Sequence, residues 1–190
     1  MVMKIGISGD IGSFSEQAGI SYTKKHAIFD YEIVPLINMD GVLKALNQNQ
    51  IDLGVFPVIN NNSGIVFDAF VAMGKYKFSF IESMGLSIEQ CLISKTKLDL
   101  RQIDTIYSYK PAFNQCEKYI EDNLKHAKLI DYGDMARAIR DLSCGKLNGN
   151  NIAVIGPKLA SDKFDLMVIS QGIEDIKPNI TNFIIVKRLD

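Results

Sequence analysis

Short runs of β-branched and aliphatic residues alternate along this chain with stretches of helical periodicity, and that alternation restricts the fold more than any other feature. Residues 4–8, 31–36 and 53–56 read as strands. The third is continuously apolar, as inside a covered parallel sheet, and Pro57 is expected to stop it. Between them a helix runs from Ser13 to about Lys25, and Val42, Leu43 and Leu46 mark one face of a second within residues 40–49. Residues 77–81 and 85–93 suggest longer strands, the latter with partial alternation. Residues 103–108, 128–131, 151–155, 166–169 and 183–187 complete the strands. One helix is expected from Pro111 to Leu124, with proline in its first turn. Another carries Met135, Ile139 and Leu142 and ends at Gly145. The pattern predicts α/β architecture. Connections near residues 70–78 and 170–180 predict two lobes, residues 1–75 with 176–190 and residues 76–175, the final strand returning to the first.

Composition narrows the function classes. A chain of 190 residues with 47% hydrophobic and 23% charged content is an ordinary globular sequence. A formal charge of −1 supplies no bulk attraction to nucleic acid or to an anionic membrane, and no apolar run is long enough to span a bilayer. Residues 3–8 are strand-like and not a secretory signal. Cys91, Cys116 and Cys144 lie far apart without CxxC spacing, which suits reduced thiols in a cytoplasm. His26 and His126 flank no cysteine pair, so no metal site is expected.

Polar residues recur at the ends of strands. Gly9 to Gly12 lead into Ser13-Phe14-Ser15-Glu16, with Ser13 and Glu16 at capping-box spacing. This corner reads either as a well-capped helix or as backbone N–H groups aimed at an anion. Asn60-Asn61-Asn62-Ser63-Gly64 comes after the third strand, and is either a polar loop or a cluster of amide donors ahead of another helix. Tyr107-Ser108-Tyr109-Lys110 is a third such corner, with Gln115 one turn inside the next helix. Asn179-Ile180-Thr181-Asn182-Phe183 opens onto the last strand, so Thr181 stands at the mouth of a rigid element. In open α/β sheets ligands gather at the carboxyl ends of strands, where these corners fall.

In these segments the chain resembles the catalytic domain of prephenate dehydratase over nearly its whole length. The family's Gly-Thr/Ser-Phe-Ser corner is matched by residues 12–15, and its Pro-Ile-Glu-Asn-Ser segment in part by Pro57-Val58-Ile59-Asn60-Asn61. Its Leu-x-Ile-x-x-Cys-Leu stretch is present as residues 86–92. Its Ser-His-Pro-x-Ala-x-x-Gln-Cys corner corresponds to residues 108–116, and its Asn-x-Thr-Arg-Phe signature to residues 179–183. The resemblance implies a two-lobed fold similar to periplasmic (type II) binding proteins, with substrate in a cleft between lobes. It implies decarboxylative dehydration of prephenate to phenylpyruvate on the route to phenylalanine, without metal or organic cofactor, in a homodimer. Appended phenylalanine-sensing ACT or chorismate mutase domains, frequent in the family, are not expected in a chain ending at Asp190.

The resemblance assigns the hydrogen-bond donor for the departing ring hydroxyl to Thr181 and substrate contact to Asn60, Ser108 and Gln115. Ser13 with the Phe14 amide is a candidate for a carboxylate, and Asn61, Asn182 and Phe183 complete the expected contacts. Three positions depart from the family pattern: Asn182 stands for arginine, Ile59 for glutamate and Tyr109 for histidine. Lys110 and Lys187 are the candidates to replace the missing positive charge. Two alternatives remain open: a relative that binds a small carboxylate without chemistry, and a decarboxylase that retains the ring hydroxyl. Thr181 argues against the latter, which has no use for a donor to that hydroxyl.

Overall fold

A computed structural model describes residues 2–189, which divide into two compact units. The first contains residues up to Ser87 and those from Ile180 onward, and the second runs from Ile88 to Asn179. The first chain crossing therefore lies later than the sequence pattern places it, so residues 76–87 belong to the first unit, while the second falls at the end of the expected stretch of residues 170–180. The cause is a long-range pairing that local periodicity does not encode, between two strands nearly a hundred residues apart.

The first unit is a mixed sheet with three helices. Its elements are β1 (Met3–Ile7), α1 (Phe14–Lys25), β2 (Tyr31–Pro35), α2 (Met39–Asn47), β3 (Leu53–Asn60), β4 (Gly64–Ile65), α3 (Phe67–Met73), β5 (Ser79–Ser87) and, after the second unit, β11 (Ile180–Lys187). Strand order is β2-β1-β3-β11-β5, with β4 on the end of β3. Strands β1, β2 and β3 are parallel, while β11 runs antiparallel to both β3 and β5. Val42, Leu43 and Leu46 of α2 pack on Phe56, Ile184 and Val186, the expected amphipathic face against the expected strands. Gly54 permits this approach, because a Cβ there would lie 2.7 Å from Val42 Cγ1 and 3.1 Å from Val186 Cγ2.

Three local expectations are corrected here. Pro57 does not stop β3. The register shifts at that point, with Asn182 opposite Ile59 but Phe183 opposite Pro57, so Val58 is the extra residue of a bulge. A bulge is one of the places where a strand tolerates a residue without an N–H. β11 begins at Ile180, which puts Thr181 inside the strand and not at its mouth. Finally, Asn60 to Gly64 opens the β3–β4 hairpin rather than a helix, and α3 starts only at Phe67.

The second unit comprises β6 (Cys91–Ser94), β7 (Thr105–Ser108), α4 (Lys110–Gln115), α5 (Glu117–Asn123), β8 (Lys128–Asp131), α6 (Met135–Ser143), β9 (Ile152–Gly156), α7 (Lys158–Phe164) and β10 (Met167–Gln171). Strand order is β10-β6-β9-β7-β8. Leu92, Ile106, Cys116, Ile120, Leu124, Ala153 and Ile155 form its core. Helix α6 starts on the Asp134 cap, whose carboxylate accepts the Arg137 N–H at 2.9 Å, and its chain turns at Gly145 with φ of 67°, as its sequence predicts. The single helix expected over residues 111–124 is broken at Cys116. There the Asp175 carboxylate takes the N–H groups of Lys118 (2.8 Å) and Tyr119 (3.1 Å) and starts α5 afresh.

Candidate functional site

Asn60 and Thr181 are directly paired across β3 and β11, so their side chains share one face of the sheet. Both are buried, at 4% and 8% exposure. Asn60 Oδ1 accepts the backbone N–H groups of Asn62 and Ser63, each at 2.9 Å, and the Ser63 hydroxyl at 3.1 Å. A backbone N–H only donates, so the oxygen of this amide faces the turn and its nitrogen faces β11. Asn60 Nδ2 accordingly donates to Thr181 Oγ1 at 2.9 Å and to the Ile180 carbonyl at 3.2 Å. Thr181 Oγ1 is thus an acceptor toward Asn60, and its hydroxyl hydrogen has no acceptor among the described residues. Asn61 closes the strand end: its N–H donates to the Ile180 carbonyl at 3.0 Å and its Oδ1 accepts the Ile180 N–H at 2.6 Å.

The other residues singled out from the sequence hold varied positions. Ser13 caps α1, its Oγ accepting the Glu16 N–H at 3.3 Å. The Glu16 carboxylate, 2% exposed, accepts the Gly12 N–H at 2.7 Å. The anion at this helix start is therefore the chain's own, and beside it Ser13 and Phe14 are both buried. Ser108 is fully buried and its hydroxyl donates to the Ile155 carbonyl at 3.0 Å, bracing the second unit's sheet. Phe183 is a core side chain. Gln115 ends α4 half-buried, its Oε1 accepting two side-chain amides.

Asn182 lies opposite Ile59 on β3 and opposite Gly85 on β5. The two positions are directly paired, so side chains there share one face of the sheet. Lys187 ends β11, about 20 Å along the strand from Thr181, too far to supply charge there. Lys110 is exposed at the first position of α4. Behind it, burial, then Asp134 and then Cys116, push the Tyr109 phenol above its ordinary range, so it stays neutral. Burial likewise raises the Cys91 thiol to about 11 and raises Cys116 further, which leaves both protonated and unreactive. No group of three His, Cys, Asp or Glu suited to a metal occurs among the described residues, and no helix among them is long and apolar enough to cross a membrane.

Two participants carry no role in the sequence reading: Gln90, inside the stretch of residues 86–92, and Asn179, first residue of the last motif. Their only signal is a polar residue beside apolar neighbours at a chain crossing.

Comparison with known proteins bears on the family and the fold. A family model described as prephenate dehydratase matches residues 5–190. A bifunctional chorismate mutase/prephenate dehydratase of Buchnera aphidicola (subsp. Baizongia pistaciae) is 30% identical over 96% of this chain and 48% of its own. The chain spans about half the length of the curated relatives it matches first. A prephenate dehydratase of Arthrobacter aurescens, solved with L-Phe, superposes with a TM-score of 0.87 at 21% identity, over 99% of this chain and 61% of that one. A periplasmic substrate-binding protein of an ABC transporter from Coxiella burnetii superposes with a TM-score of 0.52 at 16% identity, over 99% and 84% of the two chains. The two-lobed α/β fold of that class is shared.

Proposed function

The chain belongs to the prephenate dehydratase family, and we propose that it carries out the reaction of that family, decarboxylative dehydration of prephenate to phenylpyruvate. One observation carries the reading: the Asn60 amide, locked by the β3–β4 turn, donates to Thr181 Oγ1 and leaves the threonine proton to be given elsewhere. In the reaction the bond from the ring to its carboxylate breaks and CO2 departs. Those electrons enter the ring, the carbon–oxygen bond of the ring hydroxyl breaks, and hydroxide leaves as the ring becomes aromatic. A donor aimed at that oxygen stabilises the charge as it develops there. A threonine is a poor acid at neutral pH, so Thr181 acts through a fixed hydrogen bond, polarised by the one it accepts from Asn60.

Thr181 and Asn60 are the centre of the proposed site, and Gln115 is a further neutral donor to the substrate. Asn61 holds the strand end that carries Thr181. Asn182 is a further contact expected from the resemblance, whereas Ser13, Phe14 and Ser108 support the site from outside it, since Ser108 spends its hydroxyl proton on Ile155 and the Ser13 corner holds Glu16. Phe183 acts by seating β11 in the core.

The reading includes a cytoplasmic protein, in keeping with three free thiols, and a homodimer. Phe67, Phe70 and Phe80 of the first unit are exposed, apolar surface of the kind an isologous contact buries. Light scattering on the purified chain tests the assembly, and a monomer at working concentration rejects it.

The chemistry is tested by incubating the chain with prephenate at neutral to mildly alkaline pH beside an enzyme-free blank. Phenylpyruvate above the blank is expected, and Thr181→Val should lower turnover by about 100- to 10,000-fold while prephenate still binds. Bound but unchanged prephenate would make the chain a binding protein. A non-aromatic hydroxy acid would make it a decarboxylase.

A further inference from the structure

Gln90 is 1% exposed, and its Oε1 is the one buried side-chain polar atom that lacks a hydrogen-bond partner among the described residues. An orphaned buried acceptor weakens a fold, and one that persists calls for an explanation beyond packing. The rest of this side chain and its backbone are closely held. Gln90 N–H donates to Glu174 Oε2 at 2.9 Å, and the Gln90 carbonyl accepts the Ile173 N–H at 3.0 Å. Gln90 Nε2 donates to Gln115 Oε1 at 3.1 Å. A second amide arrives at the same oxygen, as Asn179 Nδ2 donates to it at 3.0 Å. Gln115 is fixed along its backbone as well, because its carbonyl accepts the Asp175 N–H at 2.8 Å.

Both lone pairs of Gln115 Oε1 are therefore occupied, and its NH2 group points away from the two donors. That nitrogen has no partner among the described residues and is not among the buried orphans. Without the two donors a terminal amide turns about its last torsion with little preference. With them it presents two N–H groups in one direction. Gln90 and Asn179 come from the two crossings of the chain, held together where the Ile88 N–H donates to the Asn179 carbonyl at 2.7 Å.

We propose that Gln90 and Asn179 are positioning residues that clamp the Gln115 amide so that its NH2 group is offered to a substrate oxygen. The inference rests on the reading of Gln115 as a substrate contact. It also gives the Asn-x-Thr motif a division of labour: Asn179 sets Gln115 in the second unit, while Thr181, two residues on, is set by Asn60 in the first.

Gln90→Met tests it, since methionine keeps the length and burial of the side chain while removing both the donor and the orphaned oxygen. The expected result is a fall in kcat/KM for prephenate of about 3- to 10-fold, the size of one lost neutral hydrogen bond, with Tm unchanged or raised. In a Gln115→Ala background the same substitution should cost nothing further. A lower Tm with unchanged kcat/KM, or an equal cost in both backgrounds, overturns the positioning role. If the unaltered chain makes no phenylpyruvate, the functional reading fails separately and the clamp is decided in the ligand-free protein. The Gln115 side-chain amide resonance, assigned by its loss in Gln115→Glu, should then shift in both Gln90→Met and Asn179→Leu. A resonance that stays in place in either variant overturns the clamp.

Discussion

Two polar corners of the first unit are built from the same kinds of residue and end in opposite states. At residues 8–16 the polar groups are turned on one another: Ser8 Oγ lies 3.1 Å from Ser15 Oγ, Ser13 Oγ accepts the Glu16 N–H, and the Glu16 carboxylate accepts the Gly12 N–H. At Asn60 and Thr181 the amide is equally constrained, yet the network ends on a hydroxyl that accepts and still has a proton to give. The first arrangement starts a helix. The second leaves chemistry available. Donor accounting, not residue type, separates them.

The largest expected effect comes from closing the open corner. Asn60→Asp keeps an oxygen for the Asn62 and Ser63 N–H groups, but turns a second oxygen on Thr181, which then spends its proton on the carboxylate. Turnover should fall about 100-fold, as for loss of a preorganised donor, and Tm should fall too, because the buried carboxylate then faces the Ile180 carbonyl to which the amide nitrogen donated. A variant with normal turnover would break the comparison. Opening the closed corner should do the reverse: Ser13→Ala should lower unfolding free energy by about 1 kcal/mol in denaturant titrations and leave kcat/KM unchanged. A kinetic defect there would restore that corner to the site.

The far end of α1 gives a smaller effect. Glu82 of β5 accepts from Lys25 Nζ at 2.6 Å and lies 2.8 Å from His26 Nε2. The hydrogen bond from Lys25, then that from His26, holds the Glu82 carboxyl below its ordinary value of 4.5. A carboxyl lowered in the folded state adds stability that is complete above its unfolded pKa and disappears as pH falls through the folded one. Glu82→Gln should therefore cost about 0.2–1 kcal/mol at pH 7, the range for an exposed pair, and nothing at pH 2. An equal cost at both pH values would reject an electrostatic tether. Of similar size, Ile59→Glu and Asn182→Arg should couple favourably by about 0.2–1 kcal/mol in a double-mutant cycle on stability, as cross-strand charges do. Purely additive effects would show that the paired positions do not interact.

Much of the fold is legible in the chain. Val42, Leu43 and Leu46 identify the buried face of α2, and Gly145 marks where the chain turns after α6, because both depend on local periodicity and backbone preference. β5 is misread because its partner β11 lies far along the chain, and Pro57 is misread because a bulge is a property of a strand pair. The candidate site is legible in the same uneven way. Thr181 and Asn60 are found as polar residues near strand ends, whereas Gln90, within an apolar stretch, carries no local sign of the amide it holds.

By itself the sequence determined the residue types available, the α/β order of elements and the family to which the chain belongs, since each is written in neighbouring positions. Only the tertiary structure decided which polar groups are consumed and which are left to act. Whether Ser108 gives its proton to Ile155, and whether Thr181 keeps its own, depends on hydrogen-bond partners set by strand register and not by distance along the chain.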